Sequence, residues 1–100
     1  MDDAGIPALI DAIRHLHGCE AKHVETVKVR EVHEGAVIWD GEVEVFDLVG
    51  HPKSKRAYAW SHATTGEKRR FVAVLHAEPV NSPLAAVRAS IVAEVKAGQN

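Results

Sequence analysis

Residues 36–77 read AVIWDGEVEVFDLVGHPKSKRAYAWSHATTGEKRRFVAVLHA. The stretch reads as three consecutive antiparallel strands, Val37–Leu48, Lys55–His62 and Arg69–Ala77, joined by turns. It holds Trp39, Trp60, Tyr58, Phe46 and Phe71, which are all the aromatic residues apart from histidine. Along the first of these strands Val37, Trp39, Val43 and Val45 share one face. The opposite face holds Ile38, Asp40, Glu42, Glu44, Phe46 and Leu48, apolar at its ends and acidic in its middle. Gly41 interrupts the strand, as a bulge or a close approach requires. Gly50-His51-Pro52 marks a loop and Thr65-Gly66 a hairpin turn.

The second and third strands lack a polar side. Ala57 and Ala59 alternate with Tyr58 and Trp60, and Phe71, Ala73 and Leu75 alternate with Val72 and Val74. An antiparallel sheet with one wet face alternates apolar with polar residues. Both faces of this half of the sheet are therefore expected to be covered.

Outward from the core stretch, residues 22–33 (KHVETVKVREVH) read as a strand with broken alternation. Val27 and Val29 share one face while Val24 and Val32 belong to the other, so the strand carries a bulge or lies at an edge. Glu34-Gly35 turns the chain into the next strand. Before it, residues 6–17 form a helix: Ile6, Leu9, Ile10, Ile13 and Leu16 follow the spacing of one apolar stripe. Pro7 sits in the first turn, where its missing N–H costs nothing. Asp2 and Asp3 lie at the pole that favours negative charge, and Gly18 is the expected left-handed cap. Residues 83–97 form the closing helix, capped by Ser82 with Pro83 at its first position and Gly98 at its end. Its stripe is Leu84, Val87, Ile91 and Val95, and Ala85, Ala86, Ala89 and Ala93 permit close packing.

The order α-β-β-β-β-α predicts one α+β domain over residues 1–100. It is expected to be a two-layer sandwich in which N- and C-terminal helices flank an antiparallel four-stranded meander. One hundred residues with 46% apolar and 26% charged composition suit one small globular domain and exclude a wholly disordered chain. No apolar run approaches the ~20 residues that span a bilayer, so no membrane partner is expected. The acidic start lacks the positive charge of an export signal. A single cysteine, Cys19, fits a reducing compartment, and the cytoplasm is the expected location.

Two short helices cover roughly one face of a four-stranded sheet. Trp39, Val43, Val45, Tyr58, Trp60 and Phe71 then gather on the other face, as a candidate self-association surface. Burying a few such side chains is worth several kcal/mol at ~25 cal/mol per Å², so the expected partner is a second copy in a homodimer. The competing arrangement puts one helix on each face and makes these residues an ordinary core.

The net charge of −2 conceals a split, −7 over residues 1–50 and +5 over residues 51–100. Lys53, Lys55, Arg56, Lys68, Arg69 and Arg70 cluster in sequence around Tyr58, Trp60 and His62. Cations interleaved with aromatics can hold phosphates and stack bases, which makes these six candidate partner- or nucleic-acid-binding residues. A sequence pI near 6.4 argues against that use. The bland alternative pairs them with Asp40, Glu42, Glu44 and Asp47.

His15-Leu16-His17-Gly18-Cys19 offers three metal-capable side chains, but neighbours at i and i+2 of a helix diverge, so no metal is assigned. Seven histidines are many for this length; His62 and His76, on neighbouring strands, could approach each other or Asp40, and a His–carboxylate pair is the minimum for general base work. No phosphate loop, dinucleotide fingerprint, nucleophile elbow or metalloprotease helix accompanies them. No catalytic residue and no cofactor is assigned, and the chain is expected to be a binding or interaction module without catalysis. The alternatives are a nucleic-acid binder using residues 53–70, and a ligand-binding protein or enzyme with a pocket built from Trp39, Trp60 and nearby histidines.

The element order is similar to that of the double-stranded-RNA-binding domain, α-β-β-β-α. The similarity covers the order alone. Where that family carries a lysine-rich run at the start of its last helix, this chain reads Ser82-Pro83-Leu84-Ala85-Ala86-Val87-Arg88, with one cation. It also has one strand more, and Gly50-His51-Pro52, similar to that family's Gly/Pro/His loop, follows a different strand. The family's function is not carried over.

Overall fold

The computed structural model describes residues 5–63 and 69–98. Six elements follow in the expected order: α1 Gly5–His17, β1 Glu20–His33, β2 Ala36–Val49, β3 Arg56–Ala63, β4 Arg69–Leu75 and α2 Pro83–Gly98. The strands form one open antiparallel sheet in the order β1-β2-β3-β4. Asp2, Asp3, the Thr65-Gly66 turn and Lys68 lie outside the described residues.

Local chemistry sets the element ends. Gly18 takes φ 67°, and its N–H donates to the Arg14 carbonyl at 2.9 Å, which closes α1. Glu34 and Gly35 have φ of 50° and 79°, the two positive values of a tight hairpin turn between β1 and β2. The Ser82 hydroxyl accepts the Ala85 N–H at 3.1 Å and starts α2. β4 ends at Leu75, two residues before the predicted Ala77, because Ala77 bonds back to Val80 across the Glu78–Pro79 turn.

The broken alternation of β1 has both expected causes. Its register against β2 shifts between His23 and Glu25 and again between Glu31 and Val32, and it is an edge strand. The two shifts throw Val24 and Val32 into solvent while Val29 stays buried. Bulges and charge on an outer strand discourage further pairing.

The helices divide between the two faces of the sheet, so the sheet is a middle layer with one helix on each side rather than one of two layers. Leu9 and Ile13 of α1 are buried with Cys19, Phe46, Ala57 and Ala59. Ala86 and Val87 of α2 are buried on the other face with Val29, Val43, Val45, Tyr58 and Trp60. This corrects the expected self-association surface. Val43, Val45, Tyr58 and Trp60 lie beneath α2 of the same chain, with Trp60 4% and Tyr58 2% exposed. Trp39 packs against that core, its ring 5.6 Å from that of Trp60 and edge-on to it. Phe71 pairs with Ser61, one step out of phase with Trp60, so it points to the α1 side and is 38% exposed. One register step decides which face a strand residue takes.

Gly41 is the close approach that the sequence suggests. A Cβ there would stand 3.2 Å from the Trp39 ring, which folds over this backbone. β2 outruns its neighbour, since it pairs with β3 only from Glu44 to Asp47. Val32, Val37 and Ile38, in the outer part of the β1–β2 hairpin, are exposed. None of the described helices is long and apolar enough to cross a membrane.

Candidate interaction groove between β4 and α2

α2 does not lie centrally over its face. It packs chiefly over β1 and β2, and on that side Arg88 pairs with Glu31 of β1. The Glu31 carboxyl is held below its usual range, first by the hydrogen bond from Arg88. The far side of the same face, over β4, is less fully covered, and Val72 and Val74 are only partly buried. There a groove of about 610 Å³ runs between Val72 and Val74 on the floor and Ala89, Ser90 and Ala93 on the wall, with Arg70 and Glu94 at its rim.

The side chains explain why the groove persists. Over the middle strands Ala86 and Val87 of α2 meet the large Tyr58 and Trp60, and the layer fills. Over β4 the small Ala89 and Ala93 stand across from Val72 and Val74, which are too short to span the gap. Arg70 and Glu94 approach to 3.5 Å with side chains 59% and 50% exposed. An exposed pair at that distance is weakly held, so both groups can be engaged by something else.

The six basic residues separate into two groups. Lys53, Lys55 and Arg56 lie at the start of β3, and Arg69 and Arg70 lie beside its far end, where Arg69 faces Ala63. Seven residues of strand, about 23 Å at roughly 3.3 Å per residue, separate the two ends. Arg56 donates to Asp47 at 3.2 Å, and the Arg69 guanidinium donates to the Ser61 hydroxyl at 3.0 Å. Lys68, the sixth, is outside the described residues. The acidic residues are shared in the same local way. Asp40 and Glu42 stand opposite Arg30 and Lys28 of β1, and Glu44 accepts from Thr26 and contacts His23. Neighbours in sequence become separate surfaces because a strand carries its two ends far apart.

The remaining polar clusters are framework. Tyr58 Oη lies 2.6 Å from His76 Nδ1. Burial pushes the Tyr58 phenol up, so it stays protonated and can donate to that nitrogen. Buried Ser54 places its hydroxyl 2.9 Å from the carbonyls of both Arg56 and His76, and His51 Nδ1 accepts the N–H groups of Lys53 and Ser54 at 3.1 and 2.9 Å. These bonds pin the β2–β3 loop to the ends of β3 and β4. Among the described residues the Ser54 hydroxyl is engaged by these two carbonyls rather than by a side-chain base. His15, His17 and Cys19 do not converge. His15 is exposed, the His17 Nε2–H donates to the Ala73 carbonyl at 3.2 Å, and Cys19 is buried with its thiol pushed up by burial. Among the described residues no group of three or more His, Cys, Asp and Glu could hold a metal ion. Trp39 and Trp60 pack against each other in the core and do not line the groove.

The groove residues Val72, Val74, Ala89, Ser90, Ala93 and Glu94 are absent from the sequence-derived candidates; only Arg70 is common to both sets. One signal was present, the alanines along α2. Their spacing announces close packing but not the side on which packing is missing. No protein-family model, curated protein or solved structure matches the chain.

Proposed function

We propose that this chain is a small interaction module that works without catalysis, by self-association as a homodimer in a reducing compartment such as the cytoplasm. The contact surface is the groove between β4 and α2, in place of the aromatic patch that α2 covers. The observation that carries this is the groove whose apolar floor, Val72 and Val74, is only partly covered beside the alanine flank of α2. An open apolar surface invites association, and small side chains on a helix let a second backbone come close. The unpaired Cys19 suits the compartment.

Sedimentation equilibrium from micromolar to millimolar protein tests the reading. It expects a mass that rises to the dimer. A monomer mass over the whole range would end it. Ala93→Arg, which places a long charged side chain in the groove, should return the protein to a monomer, whereas Val49→Arg at an exposed site outside the groove should not.

A second reading has one specific support. A volume of about 610 Å³ falls within the ~300–1,000 Å³ of small-molecule sites. On that reading a small apolar ligand occupies the same floor. A shift of the Val72 and Val74 methyl resonances on addition of a short-chain alcohol, at a concentration where the chain is monomeric, would favour it over self-association.

A further inference from the structure

The self-association reading leaves open how two copies would meet, and the rim of the groove answers that. A symmetric interface about a two-fold axis must be complementary to itself, because a residue that meets a second residue of the partner is met by it in return. The rim of the groove carries one cation from β4, Arg70, and one anion from α2, Glu94. Such a rim offers no net charge to a polyanion or a basic peptide. It does match a copy of itself turned through half a rotation. The contact between the two groups within one chain is loose at 3.5 Å, and both side chains are more than half or about half exposed, so exchanging partners sacrifices little. Ala89 and Ala93 lie on the wall that such a partner would approach, where small side chains let two helices pack toward the short end of the usual ~8–10 Å separation.

Resting on the groove reading, we infer that the groove is filled by a second copy of this chain across a two-fold axis. Arg70 pairs with the partner's Glu94 and Glu94 with the partner's Arg70, while the two α2 alanine flanks lie together over the two β4 floors. Each dimer then has two equivalent ion pairs between chains in place of one within each chain.

The arrangement makes a prediction that a pair within one chain cannot imitate. Arg70→Glu alone sets like charges against each other at both positions of the interface, and so does Glu94→Arg. Each variant should dimerise at least about tenfold more weakly than the parent. Mixed in equal amounts, the two should form a heterodimer of near-parental affinity, because every contact again joins opposite charges. The readout is native mass spectrometry, with the two variants distinguished by mass, beside sedimentation equilibrium. An ion pair internal to each chain stays broken in both variants whether or not they are mixed, so rescue by mixing supports the exchange across chains. Variants that lose dimerisation without rescue on mixing overturn the exchange, as do variants that dimerise like the parent; in either case a parental dimer would still stand by another geometry. A parental monomer at every concentration removes the self-association reading itself and the exchange with it. Both side chains are exposed, so folding should survive; should one variant not fold, Arg70→Asp with Glu94→Lys repeats the test.

Discussion

The two faces of β3 are covered by opposite means. On the α1 side the strand presents Ala57 and Ala59, and the helix brings the bulk as Leu9 and Ile13, with Phe46 from the next strand. On the α2 side the strand presents Tyr58 and Trp60, and the helix brings Ala86 and Val87, with Leu84 and Ile91 packed against the same cluster. The α1 layer sets large side chains of the helix on small ones of the strand, the α2 layer mixes small and mid-sized helix residues over large strand residues, and the described side chains of β3 from Ala57 to Trp60 are all buried. The schemes fail differently at their margins. A bulky helix over alanines fills its own footprint. The flank of α2 that carries Ala89 and Ala93 fills space only where the sheet supplies bulk, and over β4 the apolar residues facing the groove are Val72 and Val74. The groove is thus a consequence of which partner in each layer carries the volume.

Five substitutions can break or sharpen that contrast. The largest effect belongs to Phe46→Ala, which removes a fully buried ring from the α1 layer. Urea unfolding should show a loss of about 3–5 kcal/mol, and a loss below 1 kcal/mol would mean that α1 can settle onto the space left. Next comes a matched pair. Ala59→Leu adds bulk where α1 already sits and should cost about 1–3 kcal/mol. Ala93→Leu adds the same bulk over the β4 floor and should stay within about 0.5 kcal/mol of the parent while weakening self-association. Equal costs for the two would deny that one layer is full and the other open.

Gly41→Ala should cost about 1 kcal/mol, since the new methyl pushes on the outer edge of the Trp39 ring, a side chain able to yield. Near-UV circular dichroism should register a change in the Trp39–Trp60 pair. The smallest effect is electrostatic, at the side of α2 that is anchored. The Glu31 carboxyl is lowered below its ordinary value of 4.5, chiefly by the hydrogen bond from Arg88. Its contribution is present in full above that ordinary value and fades as pH falls through the lower folded value. The stability difference between the parent and Glu31→Gln should therefore be constant near neutral pH and vanish in acid. A difference that grew as pH fell would contradict the pairing.

Particular residues show why some of this was legible and some was not. Local codes read correctly: Gly18 after α1, Glu34-Gly35 between β1 and β2, Ser82-Pro83 at the start of α2 and the broken alternation of β1 each act within a few residues of themselves. The failures all involve two elements at once. Phe71 was grouped with Trp60, and only the pairing of Ser61 with Phe71 separates them. The basic residues from Lys53 to Arg70 looked like one cluster, and only the length of β3 pulls them apart. Of the candidate groove the sequence offered Arg70, for another reason, and the alanines of α2 without their direction.

By itself, then, the chain determined its elements, their order and the demand that the middle strands be covered on both sides, because periodicity, caps and turns are local properties of the backbone. Tertiary structure alone decided that each helix takes its own face and that α2 leans toward β1 rather than β4. Those outcomes depend on strand register and on the match of volumes between layers, and no window of neighbouring residues contains either.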